Sequence, residues 1–224
     1  MNAKNAGGSA RGATRPGGRP STRLLASVAL VGAVLYVLVD VVLQLLPPYY
    51  SVISEAESNL AVGPYGWIMN LNFLARGVVT VCAVAALARF APRSRLQRVG
   101  LALMLLAGAS SAALAFLPTD IAGPDASGLE PATPLGTAHL IVATVGFVAA
   151  LAAFGALTVW LRGSEQLRAA YPAAVVFTGI GAVGLAAVGV AIVLAPGVLG
   201  LAERVCLAGV LGWVIAVCSV VRRR

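Results

Sequence analysis

Residues 49–76 read YYSVISEAESNLAVGPYGWIMNLNFLAR, a polar loop that runs directly into an apolar helical segment. The loop carries two acids, Glu55 and Glu57, and the apolar segment carries an arginine, Arg76. An ionisable side chain at the centre of a membrane helix costs at least about 2.5 to 3.5 kcal/mol, so such a residue is normally paired or functional. We therefore expect the distinctive chemistry of this chain to lie around Arg76 and the loop before it.

The composition excludes a water-soluble domain. The chain has 224 residues, of which 59% are hydrophobic and 11% are charged, whereas soluble domains average about 25% charged residues. The net charge of +8 would by itself suggest a nucleic-acid partner. The cations, however, lie between apolar runs rather than on one soluble face, so we predict membrane lipids as partners and no nucleic acid.

Six apolar stretches are each close to the roughly 20 residues that a helix needs to cross a bilayer. The continuous runs favour helices over the alternating pattern of a membrane barrel. We predict an all-α integral membrane protein, a bundle of six transmembrane helices within residues 22–224. Residues 1–21 are rich in Gly, Ser, Pro and Arg, which predicts a disordered basic tail. The predicted spans are 23–46, 67–90, 96–117, 135–161, 171–195 and 199–221.

The basic residues predict the orientation. Fourteen of the sixteen Lys and Arg residues fall in the tail, the second and fourth connections and the C-terminus, which are all on one side of a six-span bundle. Cytoplasmic segments carry the excess of Lys and Arg. We therefore predict that both termini are cytoplasmic, in the plasma membrane, and that the loop quoted above is extracytoplasmic.

Two intramembrane charges have matching depths. Arg76 lies nine residues after Trp67, about 13 Å along the helix, and Asp40 lies seven residues before Pro47, about 10 Å from the same edge. The first two helices are sequential and antiparallel, so we predict an Asp40–Arg76 ion pair. Asn72 precedes Arg76 by four residues on the same helical face, and we expect it to orient the guanidinium.

Further polar residues are predicted at the outer ends of the helices, where they would form the rim of an outward-facing cavity. Glu55, Glu57 and Asp120 taken separately are typical of solvated loop acids. The chain has one histidine, and a zinc site needs three or four ligands, so we predict no metal, no cofactor and no catalytic set. The candidate ligand-binding residues are Asp40, Glu55, Asn72, Arg76, Asp120, His139 and Glu203.

Three segments carry a resemblance to a known family. YSVISEAESNLAVGPYGWIMNLNF, FLPTD and TPLGTAHLIVATVGF together resemble domain of unknown function 998, a family of bacterial and archaeal membrane proteins. The resemblance covers residues 24 to 221 and implies six spans and no known activity. The residues that match its motifs are Tyr50, Ser51, Ser54, Glu55, Ser58, Leu60, Pro118, Asp120, Gly136 and His139.

Several functions fit these observations. The first is a non-enzymatic membrane protein that binds a lipid headgroup or a small polar ligand in its outward cavity. The second is an intramembrane lipid hydrolase or transferase with His139 as general base and the nearby acids as metal ligands or acid partners. The third is a proton- or ion-coupled carrier that uses Asp40, Arg76 and His139 as a relay. The fourth is an assembly or stress-response subunit whose outer loop meets a partner, either a second copy of the chain or another membrane protein.

Overall fold

The computed structural model describes residues 20–46, 49–121 and 131–224, and these residues form helices and connections with no strand. All six long helices are apolar and long enough to cross a membrane. Three short 3-10 helices, Glu57–Ala61, Arg168–Ala170 and Pro196–Val198, lie in the connections. The long helices are α1 (Pro20–Gln44), α2 (Gly66–Leu87), α3 (Arg95–Leu114), α4 (Pro134–Arg162), α5 (Tyr171–Leu194) and α6 (Leu199–Arg222).

The six predicted helices are confirmed, and each predicted end lies within three residues of the observed one. Helices α2 and α3 end three residues before their predicted ends, because the last predicted turn of each forms i to i+3 hydrogen bonds. These bonds run from Phe90 N to Leu87 O and from Leu117 N to Leu114 O. Because α1 begins at Pro20, the last two residues of the predicted tail belong to a helix. The remainder of that tail, residues 1–19, lies outside the described residues.

The helices are arranged around the bundle in the order α5, α6, α1, α2, α3, α4. Neighbours in this order pack closely, except that α4 and α5 are more sparsely packed against each other. One end of the bundle, here called the loop end, contains residues 49–65, 115–121, 131–133 and 195–198. The opposite end, here called the terminal end, contains residues 88–94 and 163–170 with both ends of the helical region.

Small residues bring α5 and α6 into backbone contact. A side chain on Gly184 would collide with the backbone of Cys206, and one on Gly209 would collide with the backbone of Gly181. In a membrane, where helices gain little from hydrophobic burial, such close approach is a main source of association. Gly184 and Gly209 therefore permit this close approach, whereas Gly179 and Gly189 have open space where a side chain would begin.

The contact between α4 and α5 differs along its length. Towards the terminal end, the hydroxyls of Thr158 and Thr178 are 3.1 Å apart, and Leu151 lies against Gly181. Towards the loop end, α5 follows α6 instead, where Ala191 packs against the start of that helix. The seam between α4 and α5 therefore closes at one end and opens at the other.

Candidate functional site

Arg76 is held between helices α1, α2 and α3 beneath the first connection. Its Nε donates to Ser111 Oγ at 2.6 Å, and its Nη1 donates to the Tyr36 hydroxyl at 3.1 Å. Nη1 also lies 3.9 Å from Glu57 Oε2, and the Tyr36 hydroxyl donates to that oxygen at 3.0 Å. The guanidinium carbon lies 4.9 Å from the Tyr36 ring centre and 5.4 Å from that of Phe73. Charge, hydrogen bonds and cation–π contacts thus fix this side chain.

The predicted Asp40–Arg76 ion pair is wrong. Among the described residues, the carboxylate that pairs with Arg76 is Glu57. Asp40 instead accepts a hydrogen bond of 2.6 Å from Gln44, one turn further along α1, and its Oδ1 is buried without a partner among the described residues. The predicted depths of Asp40 and Arg76 were similar. Glu57, however, enters the bundle from the loop and lies beside Arg76 in the position predicted for Asp40.

Asn72 does not orient the guanidinium either. Its Nδ2 donates to the backbone carbonyl of Tyr36 at 3.1 Å, and the side chain is buried between α1 and α2. Asn72 and Arg76 do lie on the same face of α2. The Asn72 amide, however, turns towards α1 and donates to a backbone carbonyl of that helix. Asn72 therefore ties together the two helices that carry Tyr36 and Arg76.

Glu57 is a buried acid, not the solvated loop acid that the sequence predicts. It begins the 3-10 helix Glu57–Ala61 and is 3% exposed. Its backbone N–H donates to Glu203 Oε2 at 2.7 Å, so a second carboxylate approaches it from α6. Burial raises the pKa of Glu57 above its ordinary value, the Arg76 charge opposes this, and the carboxylates of Asp40 and Glu203 add to it.

A pH dependence of stability follows from this buried acid. The raised pKa means that folded Glu57 holds a proton over a window that starts near the ordinary value of 4.5. The folded state binds more protons than the unfolded state there, so the free energy of unfolding falls as pH rises through the window. We expect a higher unfolding temperature in detergent at pH 5 than at pH 8, and a flatter profile for Glu57→Gln. Equal slopes for the two proteins would contradict this assignment.

The first connection is clamped onto the start of α6 by Arg204. Its Nη1 donates to the carbonyls of Val52, Glu55 and Gly200 at 3.0 to 3.3 Å, and its Nη2 donates to the Tyr50 hydroxyl at 2.8 Å. Gly200 has no room for a side chain because the carbonyl of Glu55 lies against it. The clamp therefore fixes the loop that delivers Glu57 to Arg76.

A latch joins the end of α3 to the start of α4. Thr133 donates to Asp120 from its backbone N–H at 2.8 Å and from its hydroxyl at 2.9 Å, and these bonds lower the pKa of Asp120. The Thr133 hydroxyl also accepts from Gly136 N at 3.0 Å and so caps the N-terminus of α4. The imidazole of His139 contacts the Leu117 carbonyl at 2.6 Å. The motif residues Asp120, Gly136 and His139 thus have a shared structural role.

A cavity of about 750 Å³ lies at the open part of the seam, and we call it the seam cavity. It extends from the loop end down between α4 and α5 to the level of Arg76. Two of the predicted site residues, Asp40 and Asn72, are not in its wall, and the other five are joined there by Glu57. The ionisable side chains in the wall are Glu55, Glu57, Arg76, Asp120, His139 and Glu203.

Neither a metal cluster nor a disulfide is found among the described residues. No group of three or more His, Cys, Asp or Glu side chains there could hold a metal ion. Cys82, Cys206 and Cys218 are all free, and a free cysteine in an apolar helix behaves as a small apolar residue. The cavity therefore presents carboxylates, one imidazole and one guanidinium as its reactive groups.

The predicted site list omitted four residues of this site: Tyr36, Ser111, Arg204 and Glu57. The first two are uncharged, and a lone tyrosine or serine in an apolar helix gives little signal. Arg204 could have been found, because an arginine one turn after a glycine at a helix start, facing an acidic loop, is suited to bind loop carbonyls.

The fold and the positions of the motif residues can be compared with other proteins. No curated protein and no solved structure among those compared matches the chain. A family model described as "Protein of unknown function (DUF998)" matches residues 30–220, which is most of the chain. The match confirms the resemblance that the loop and latch motifs suggest. The chain therefore belongs to the DUF998 family of proteins of unknown function.

Proposed function

We propose that the protein binds one membrane lipid, or a molecule of similar shape, in the seam cavity. The headgroup would lie among the charged side chains at the loop end, and the hydrocarbon chain would lie between α4 and α5. One observation carries this proposal: a continuous space of about 750 Å³ has a charged end and an apolar length. Sites for small organic ligands typically have volumes of about 300 to 1,000 Å³ and the same mixture of apolar walls and few polar groups.

The apolar length of the cavity suits a hydrocarbon chain. Its walls are formed by Phe147 and Val148 on α4 and by Leu185, Val188 and Ile192 on α5. Membrane hydrocarbon is as apolar as these side chains, so a chain that moves from the bilayer into the cavity gains little from the transfer itself. Selectivity must therefore come from the fit of the chain and, above all, from the polar end.

The seam also supports access from the membrane. Val148 and Ile192 belong to the cavity wall, yet 52% and 38% of their surfaces are exposed. Exposure of this size in wall residues is expected for a cavity that opens between α4 and α5. A lipid could enter there sideways without its chain crossing water.

We also propose that the terminal end faces the cytoplasm and that the membrane is the plasma membrane. The support is the excess of Lys and Arg in the segments that belong to the terminal end, such as residues 89–98 and 222–224. The headgroup end of the cavity would then face away from the cytoplasm. The lipid would come from the outer leaflet.

A pair of glycines on α5 provides a matched test. Gly189 lines the cavity and Gly179 does not, and a side chain at either position begins in open space. Gly189→Leu should fill part of the cavity without a backbone clash, whereas Gly179→Leu should only add an apolar group to the outside of the helix. We expect native mass spectrometry to find a lipid bound to the wild type and to Gly179→Leu, and several-fold less on Gly189→Leu.

Two results would contradict the proposed function. The first is a wild-type protein that carries no bound lipid after mild extraction and takes up none when lipid is added. The second is an equal amount of bound lipid on the Gly189→Leu and Gly179→Leu proteins. The second result would mean that the lipid binds elsewhere on the bundle.

A further inference from the structure

We propose that the seam cavity selects an ammonium headgroup, a protonated amine, over a phosphate or carboxylate headgroup. This inference rests on the proposed function and concerns the ligand class of the same site. It departs from the simplest expectation, in which the buried Arg76 would attract an anion. The contacts of the cavity wall favour the cation on three separate grounds.

The first ground is the charge of the wall. Four acidic side chains among the described residues line the cavity against one guanidinium, from Arg76. Burial raises the pKa of Glu57, which leaves three other acids to supply negative charge at neutral pH. Coulomb energies between unit charges a few ångströms apart reach several kcal/mol where water is partly excluded. An anionic headgroup would add to an acidic surface, while a cationic headgroup would neutralise part of it. The lining carboxylates are Glu55, Glu57, Asp120 and Glu203.

The second ground is that Arg76 is already engaged. Its Nε and Nη1 donate to Ser111 and Tyr36, and Nη1 also faces Glu57. The aromatic rings of Tyr36 and Phe73 lie within cation–π distance of the guanidinium carbon. Its side chain is 15% exposed. An anion would have to compete with an internal carboxylate for this one cation.

The third ground is the hydrogen-bonding state of His139, which is 4% exposed and lines the cavity. Nδ1 lies 2.6 Å from the Leu117 carbonyl, and a carbonyl oxygen can only accept, so Nδ1 carries the proton and donates. The neutral ring then has Nε2 as an acceptor. Nε2 has no hydrogen-bond partner among the described residues, so the ring offers the cavity a lone pair.

The carboxylates offer acceptors as well. Glu57 uses Oε2 for the Tyr36 hydroxyl, and Glu203 uses Oε2 for the Glu57 N–H. The Oε1 atoms of both have no partner among the described residues. Asp120 differs, because both of its oxygens accept from Thr133. An ammonium has three N–H donors and no acceptor, so it can donate to Glu203, to His139 and to the ionised form of Glu57, which its own charge would favour.

Three amphiphiles with the same chain length test the inference: octadecylamine, octadecanoate and octadecanol. Their affinities would be measured by titration and native mass spectrometry at pH 7 for the wild-type protein. We expect octadecylamine to bind at least about tenfold more tightly than either of the others, because a charge-assisted hydrogen bond contributes about 1.5 to 3 kcal/mol. Butylamine, which has the headgroup and a short chain, distinguishes a lipid amine from a free amine.

Two acid-to-amide variants test which acidic side chain causes the preference for octadecylamine. Glu203→Gln keeps an oxygen that can accept from the Glu57 N–H but removes the charge, and it should reduce the preference for octadecylamine about tenfold. Glu165→Gln is the matched control, since Glu165 lies in the fourth connection at the terminal end and is exposed. It should leave all three affinities unchanged.

The possible outcomes separate this inference from the proposed function. Octadecanoate binding as tightly as octadecylamine, or a preference unchanged in Glu203→Gln, would overturn the ammonium assignment. If Gly189→Leu still blocks all three amphiphiles in that case, the cavity remains the lipid site. Binding that Gly189→Leu does not reduce would overturn the proposed function itself. Butylamine that competes as well as octadecylamine supports the ammonium assignment with a free amine as its source.

Discussion

Replacing Arg76 by glutamine is expected to lower the free energy of unfolding by about 3 to 5 kcal/mol above pH 8, where folded Glu57 is ionised, the usual cost of removing one partner from a buried charged pair. The change leaves Glu57 in the bundle without its cation. It also removes the donors that satisfy Ser111 and the Tyr36 hydroxyl. The measurement is reversible unfolding in a mixed-detergent titration with a denaturant.

A double-mutant cycle identifies the partner of this arginine. Because Glu57 pairs with Arg76, the loss in Arg76→Gln/Glu57→Gln should be clearly smaller than the sum of the two single losses. Asp40 accepts from Gln44 instead. The losses in Arg76→Gln/Asp40→Asn should therefore be close to additive. Coupling to Asp40 and additivity with Glu57 would reverse the assignment.

Replacing Arg204 by alanine is expected to release the first connection from α6. The variant loses hydrogen bonds to three backbone carbonyls and to the Tyr50 hydroxyl. We expect a loss of about 2 to 3 kcal/mol, near the upper range for hydrogen bonds of a charged group, because water can reach some of the released carbonyls. Since Ser54 to Asn59 form part of the cavity wall, lipid binding should weaken together with stability.

Limited proteolysis measures the release directly. The Arg204→Ala protein should be cut within residues 49–65 much faster than the wild type. Arg162→Ala is the control, because Arg162 lies at the terminal end of the bundle. Its side chain has no hydrogen bond or ion pair with another described residue. Equal cleavage rates for the wild type and Arg204→Ala would mean that the clamp does not hold the loop.

The sequence was sufficient for the helices and insufficient for the contacts between them. Hydrophobic length and the proline breaks locate all six spans, since each depends on local composition alone. The depths of Asp40 and Arg76 along their helices could be counted from the sequence. These depths do not predict that a loop side chain, that of Glu57, folds into the bundle beside Arg76. Glu57 enters the bundle because residues 57–61 form a 3-10 helix that packs beneath the clamp.

For the motif residues too, the location could be predicted from the sequence and the contacts could not. Asp120 and His139 were expected at the rim of one outward-facing cavity, and both line the seam cavity. Their roles could not be predicted, because a latch through Thr133 depends on the direction in which a connection turns. Spacing along the chain cannot give that direction, and a single backbone carbonyl, that of Leu117, sets the state of the imidazole.

The most direct test of lipid binding in the seam cavity is a photochemical map of where a lipid chain lies. A phospholipid with a diazirine near the middle of one acyl chain would be incorporated with the protein into nanodiscs, irradiated and analysed by peptide mass spectrometry. If a lipid chain occupies the seam cavity, adducts should be concentrated on the cavity walls, at residues 140–148 of α4 and 185–192 of α5, and reduced in Gly189→Leu. Adducts spread evenly over outward-facing positions such as Val176 and Val183, and unchanged in Gly189→Leu, would contradict it.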